Sequence, residues 1–144
     1  MNLETRKPGD ELGNRELTER ILGAAIRVHR ELGPGFLEAI YEEAMAVELR
    51  HLRLVFERQK PVPIYYRGQP IGEHRVDLLV EHSVIVELKA ITNFENIHFA
   101  VLRSYLKALG LDDALLINFA GTKLGIKRVG REYHSRATTE EVSF

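Results

Sequence analysis

Leu17, Ile21, Ala24, Ala25, Val28 and Leu32 recur at the three-to-four-residue spacing of one helical face. They predict a first helix opening near Asn14, a suitable N-cap, and stopped by Gly33-Pro34-Gly35. A second stripe, Leu37, Ile40, Tyr41, Ala44, Met45, Val47 and Leu49, predicts a helix from about Leu37 to Leu52, with Glu42, Glu43 and Arg50 left to solvent. From Leu54 the pattern turns β-branched and aromatic: Val55, Phe56, Val62, Ile64, Tyr65 and Tyr66, then a turn at Arg67-Gly68-Gln69-Pro70. Pro61 and Pro63 place that strand at an edge or make it irregular, because proline donates no ladder hydrogen bond. Strands near Ile71 to Val80 and Val84 to Lys89 complete an antiparallel meander.

Phe99, Leu102, Tyr105, Leu106 and Leu109 predict a helix from about Ile97 to Leu109, closed by Gly110. Two last strands follow, Ala114 to Phe119 and Leu124 to Val129. A helix between the strand ending at Lys89 and the one starting at Ala114 implies a parallel, right-handed crossover. The expected architecture is an α/β domain, a mixed five-stranded sheet flanked by helices. Residues 14–132 should form that single domain, residues 1–13 a polar mobile arm, and residues 133–144 a polar flexible tail.

One charged cluster breaks this pattern. Asp77 interrupts one predicted strand, and Glu87-Leu88-Lys89 closes the next after the apolar run Val84-Ile85-Val86. Residues two apart on a strand share a face, so Glu87 and Lys89 point the same way. A hairpin turn at Glu81 to Ser83 brings Asp77 beside them. Charges among Val, Ile and Leu are costly unless they pair or bind a metal. By spacing alone, the same residues also fit a solvated edge strand with Asp77 in a local pair. The apolar run before Glu87 favours a central strand buried on both faces.

The chemistry available to such a set is phosphodiester hydrolysis. Mg²⁺ takes hard oxygen ligands and binds through a few carboxylates plus the substrate phosphate. Asp77 and Glu87 supply carboxylates, the Leu88 carbonyl is a further ligand candidate, and Lys89 can orient the attacking water and offset developing charge.

The 144 residues are 44% hydrophobic and 28% charged, enough for one core and short for two domains. With 20 basic and 21 acidic residues the formal charge is -1, which gives no global attraction to nucleic acid. Any such partner needs a local basic patch or a metal ion. Lys107, Arg103, Lys123, Lys127, Arg128 and Arg131 could supply basic surface for a phosphate backbone, though a solvated face is the plainer reading. The chain has no cysteine, so no disulfide framework or thiolate zinc site. There is no apolar leader or membrane-spanning run, and a soluble cytoplasmic protein with no membrane partner is expected.

The motif Gly35-Phe36-Leu37-Glu38-Ala39-Ile40-Tyr41 resembles the Gly-x-x-Glu-x-x-Tyr signature of the GxxExxY family, a branch of the PD-(D/E)xK restriction-endonuclease-like nucleases. Val28 to Pro34, Arg58-Gln59, Arg75 to Val80, Val86 to Ala90, Tyr105-Leu106-Lys107 and Leu115 to Phe119 extend the similarity, in order, over about Leu17 to Val129. The resemblance implies a restriction-endonuclease-like fold and a Mg²⁺- or Mn²⁺-dependent nuclease acting on nucleic acid, DNA before RNA. It also implies Glu38, Asp77, Glu87 and Lys89 as catalytic residues, and Glu38, Asp77, Glu87 and Leu88 around the metal. Homodimers that cut two strands are frequent in that superfamily.

Glu38 in a first helical turn is also favoured by the helix dipole alone. Tyr41, His98 and Tyr105 are candidates for lining the site; a core tyrosine and a surface helix histidine are the plainer alternatives for Tyr41 and His98. His29 is expected to be structural. Val101 stands where many superfamily members carry a Gln, four residues before the helix tyrosine, which opens a second reading: a nuclease-like binding or assembly module with little turnover.

Overall fold

The computed structural model describes residues 11–131 and 138–142, with side chains described over 14–131. Helix α1 (Glu11–Leu32) begins earlier than expected, so Asn14 is not its cap. Asn14 lies inside the first turns, and its Nδ2 donates to Asp113 Oδ2 at 2.7 Å. The rest of the expected arm, residues 1–10, lies outside the described residues. The helix ends at Gly33, whose φ of +69° is a left-handed stop and whose N–H reaches the His29 carbonyl at 2.8 Å. Helix α2 (Glu38–His51) buries Tyr41, Met45, Ala46 and Leu49. Leu37, Ile40 and Val47, expected in its buried stripe, are exposed. The 41/45/49 seam is one i, i+4 line, and it is narrow enough to leave those flanking positions outside.

Strands β1 (Phe56–Tyr66), β2 (Gln69–Val80) and β3 (Val84–Lys89) form the meander, with β1 at the sheet edge, where Pro61 and Pro63 cost no central ladder bond. Helix α3 (Asn96–Leu109) crosses to β4 (Asp113–Asn118), and β3 and β4 pair in parallel from Val84↔Asp113 to Lys89↔Asn118. Antiparallel β5 (Leu124–Gly130) follows. The sheet has six strands rather than five, in the order β1-β2-β3-β4-β5-β6. The added strand β6 (Thr138–Val142) pairs antiparallel with β5 and falls within the segment expected to be a tail. Thr138-Thr139-Glu140-Glu141-Val142 carries no apolar alternation, as suits a charged edge strand, and so left no strand pattern to read.

The α/β sheet is covered on both sides, the restriction-endonuclease-like arrangement with one strand more than expected. Leu17, Ile21, Met45, Leu49, Leu78, Val86, Leu88 and Ile117 pack in one apolar layer with α1 and α2. Leu79, Ile85, Leu116, Leu102, Tyr105 and Leu106 form the other beneath α3. Strand β3 feeds both layers alternately, which accounts for its unbroken apolar run. Each such side chain removed from water contributes about 1.5–3 kcal/mol, so the register of β3 is firmly held. That register puts Glu87 on the same face as Ile85, towards α3.

Candidate active site

Backbone pairing between β2 and β3 runs only through Val80↔Val84, Leu79↔Ile85 and Leu78↔Val86. At the next position, Asp77 opposite Glu87, side chains take over from the ladder. The Asp77 N–H donates to Glu87 Oε1 at 2.9 Å, and the Leu88 N–H donates to Asp77 Oδ2 at 2.8 Å. The strands part there, and two carboxylates fill the wedge. A residue's N–H and C=O lie on the same edge of a strand, so the Leu88 carbonyl also faces this opening. The Lys89 carbonyl, one residue on, instead accepts the Phe119 N–H across the β4 side at 2.8 Å.

Asp77 is held from its other side by Gln59. This residue sits opposite Asp77 on β1, is skipped in the register between Arg58↔Leu78 and Lys60↔Val76, and has a φ of +51°. Such a left-handed residue is uncommon outside glycine. Gln59 Nε2 donates to Glu42 Oε1 at 2.6 Å and reaches Asp77 Oδ1 at 3.3 Å. Glu42 Oε2 in turn accepts from Arg58 Nε at 3.0 Å and Nη2 at 2.9 Å, and Arg58 also pairs with Glu43 at 2.7 Å. Glu42 was expected in solvent, yet its side chain is only 12% exposed. Its i, i+4 spacing from Glu38 on α2 was the sequence signal that both share a face.

Glu38 Oε2 accepts the Ala90 N–H at 3.0 Å, one residue beyond Lys89. It stands at the margin of the acid pair and adds negative potential to Glu87. Among the described residues, no three acidic or imidazole side chains form a ready metal-holding group. The acids bound to each other's strands are Asp77 and Glu87. Lys89, half-buried, shares the Glu87 face of β3, and its positive charge opposes the rise in both carboxyl pKa values.

Burial pushes the Glu87 carboxyl up to about 8, with the Asp77 charge adding to the rise and the Asp77 N–H and Lys89 working against it. Burial also raises Asp77; the Leu88 N–H and Gln59 favour its ionised form, and the Glu42 charge opposes it. Near neutral pH this pair therefore keeps a proton unless a cation joins it. Hard oxygen donors, two carboxylates and an adjacent carbonyl fit a Mg²⁺-type ion, which binds through one or two carboxylates and retains water.

Tyr105 arrives from α3, 5% exposed, and its phenol is pushed up to about 12 by burial and by the Glu87 and Asp77 charges. It stays protonated beside the pair. Val101, one turn earlier, is half-buried against the apolar layer beneath α3. His98 serves elsewhere: its Nδ1 accepts the Glu95 N–H at 2.9 Å in the capping box that opens α3. Tyr41 is also committed elsewhere. Fully buried, it stacks on Phe119 at 4.4 Å, donates to the Gly33 carbonyl at 2.6 Å and accepts the Phe36 N–H at 3.2 Å. Its hydroxyl pins the Gly-Pro-Gly turn and does not reach the acids. His29 is structural as expected, donating from Nε2 to the Gly121 carbonyl at 2.8 Å.

A family model described as the PD-(D/E)XK nuclease superfamily matches residues 15–129. Comparisons with curated proteins and with solved structures found no significant match.

Proposed function

The chain belongs to the PD-(D/E)XK nuclease superfamily, and from that premise we propose that it is a Mg²⁺- or Mn²⁺-dependent nuclease that hydrolyses phosphodiester bonds, with DNA as the expected substrate. The observation that carries this reading is the exchange of backbone amides between Asp77 and Glu87 where β2 and β3 part, with Lys89 on the Glu87 face. The Gly35, Glu38 and Tyr41 spacing supports the GxxExxY branch.

Asp77, Glu87 and the Leu88 carbonyl would hold the ion, with Glu38 at the margin. A bound divalent ion supplies Lewis acidity to the phosphoryl group and lowers the pKa of the attacking water. Lys89 orients that water and offsets charge on the pentavalent phosphorus. The Gln59 and Leu88 N–H groups aim the Asp77 carboxylate and favour its ionised form against the effect of burial, and Tyr105 can donate to an oxygen at the same place.

The test is incubation of the purified chain with single-stranded, duplex and branched DNA, and with RNA, in Mg²⁺ or Mn²⁺ beside Asp77→Ala and Lys89→Ala. Metal-dependent cleavage lost in both variants is expected. Cleavage that survives both overturns the assignment. Val101 favours a second reading, a nuclease-like module that binds without turnover, because an apolar side chain stands where a polar one would meet substrate. Calorimetric titration separates the two: Mn²⁺ binding abolished by Glu87→Gln supports a working centre, and no binding supports the module.

A further inference from the structure

The β1–β2 ribbon runs well past the rest of the sheet. Strand β2 spans Gln69–Val80 but pairs with β3 only from Leu78 to Val80, so its outer part pairs with β1 alone. At its far end Tyr65, Tyr66 and Ile71 are 62%, 64% and 64% exposed. The tip between them is Arg67-Gly68, with φ of +51° and +78°. Arginine at the first of these positions is strained where Asn, Asp or Gly would rest easily, and it puts a basic residue next in sequence to Tyr66.

We propose that this ribbon is a docking arm for single-stranded nucleic acid, with unpaired bases stacked on Tyr65 and Tyr66 and phosphates attracted by Arg67. The inference rests on the nuclease reading and adds the substrate class. Consecutive strand residues point to opposite faces, so the two tyrosines flank the ribbon rather than make one apolar patch. Arg67, Gln69 and Glu73 interrupt the apolar surface further. A second copy of the chain would need a continuous apolar face, whereas a base needs one ring and a nearby cation. Duplex bases, already stacked on each other, offer no such face.

The arm also leads to the acids. Its inner half carries His74, whose ring lies 5.3 Å from that of Tyr105, and the Tyr105 phenol feels both Glu87 and Asp77. From Pro70, which pairs with Tyr65, to Asp77 is about 23 Å at ~3.3 Å per strand residue. An unstacked single strand spans more than the duplex rise of ~3.4 Å per nucleotide, so about seven nucleotides or fewer cover that length. A single strand held at the tip therefore reaches the acid pair without leaving the ribbon.

The probe is a fluorescein-labelled twelve-nucleotide oligothymidylate, compared with a duplex of equal length by anisotropy in EDTA, where no hydrolysis intrudes. The chain has no tryptophan, so quenching of tyrosine fluorescence gives a second readout. The wild-type chain should bind the single strand more tightly than the duplex. The double variant Tyr65→Ala, Tyr66→Ala should bind it at least about tenfold more weakly, with Phe at both positions restoring most of the affinity. Its melting temperature and Mn²⁺ titration report on folding and on the acid pair independently.

Equal binding by the double variant, preference for duplex, or a variant that alters only sedimentation as a dimer overturns the arm. A wild-type chain that binds no single strand overturns it too, whatever its cleavage. Conversely, tyrosine-dependent binding without cleavage in Mg²⁺ or Mn²⁺ leaves the arm standing and removes the nuclease reading.

Discussion

Asp77 and Glu87 each hold a backbone amide of the other's strand: Glu87 Oε1 takes the Asp77 N–H at 2.9 Å, and Asp77 Oδ2 takes the Leu88 N–H at 2.8 Å. The exchange starts where the β2–β3 ladder ends, so the bonds that close the sheet are the ones that aim the carboxylates. Preorganisation and fold stability are coupled at this point. Replacing either acid by alanine changes both.

Glu87→Gln separates them. The amide oxygen still accepts the Asp77 N–H, while the charge next to Asp77 is gone. We expect metal-dependent cleavage to fall by at least about a hundredfold, since an ion ligand is lost. The metal-free variant should match or exceed wild-type stability at pH 8 in thermal melts. Retained cleavage would remove Glu87 from the chemistry.

The pH dependence follows from the same burial. The Glu87 carboxyl titrates at about 8 in the folded chain against an ordinary 4.5, so between those values the folded state binds more protons than the unfolded one. Its contribution to stability is then lost as pH rises through this window, with a limiting slope of about 1.4 kcal/mol per pH unit. A bound divalent ion displaces that proton. Calorimetry near pH 7 in two buffers of different ionisation enthalpy should show proton release on Mn²⁺ binding, abolished by Glu87→Gln.

Gln59 offers a way to loosen Asp77 without touching a ligand. Gln59→Gly relieves the +51° φ but removes the Nε2 that links Glu42 to Asp77. Mn²⁺ affinity should drop about tenfold while thermal stability changes little, because strain relief offsets the lost hydrogen bonds. Gln59→Ala keeps the strain and loses the bonds, so it should be the less stable of the two. An unchanged Mn²⁺ titration in both would show that Asp77 needs no such support.

Much of this arrangement is legible in the sequence because it follows from period. The run Val84-Ile85-Val86 fixes β3 as doubly covered, and that alone makes Glu87 a buried acid. The helix between Lys89 and Ala114 fixes the parallel step. What escapes is what depends on long-range pairing. Glu42 reads as a solvent residue until Arg58 and Gln59 are brought across from β1. Tyr41 and Glu38 share one motif, yet the tyrosine turns into the core while the glutamate reaches Ala90. Strand β6 is polar at every position but its last, and only its pairing with β5 defines it.

Val101 is the position where one substitution should decide how much turnover the chain has. It lies one helical turn before Tyr105 on α3, half-buried against the layer that carries Leu102 and Leu106, and Tyr105 in turn faces the charges of Glu87 and Asp77. A glutamine there keeps the length needed to lie along that layer and adds an amide that can donate to the phosphate or the attacking water. Val101→Gln should therefore raise single-turnover cleavage about tenfold or more, at a stability cost of about 1 kcal/mol for the partly buried amide. If the cleavage rate stays flat while the variant folds and binds Mn²⁺ as before, the valine does not limit the reaction, and the binding-module reading loses the observation that favours it.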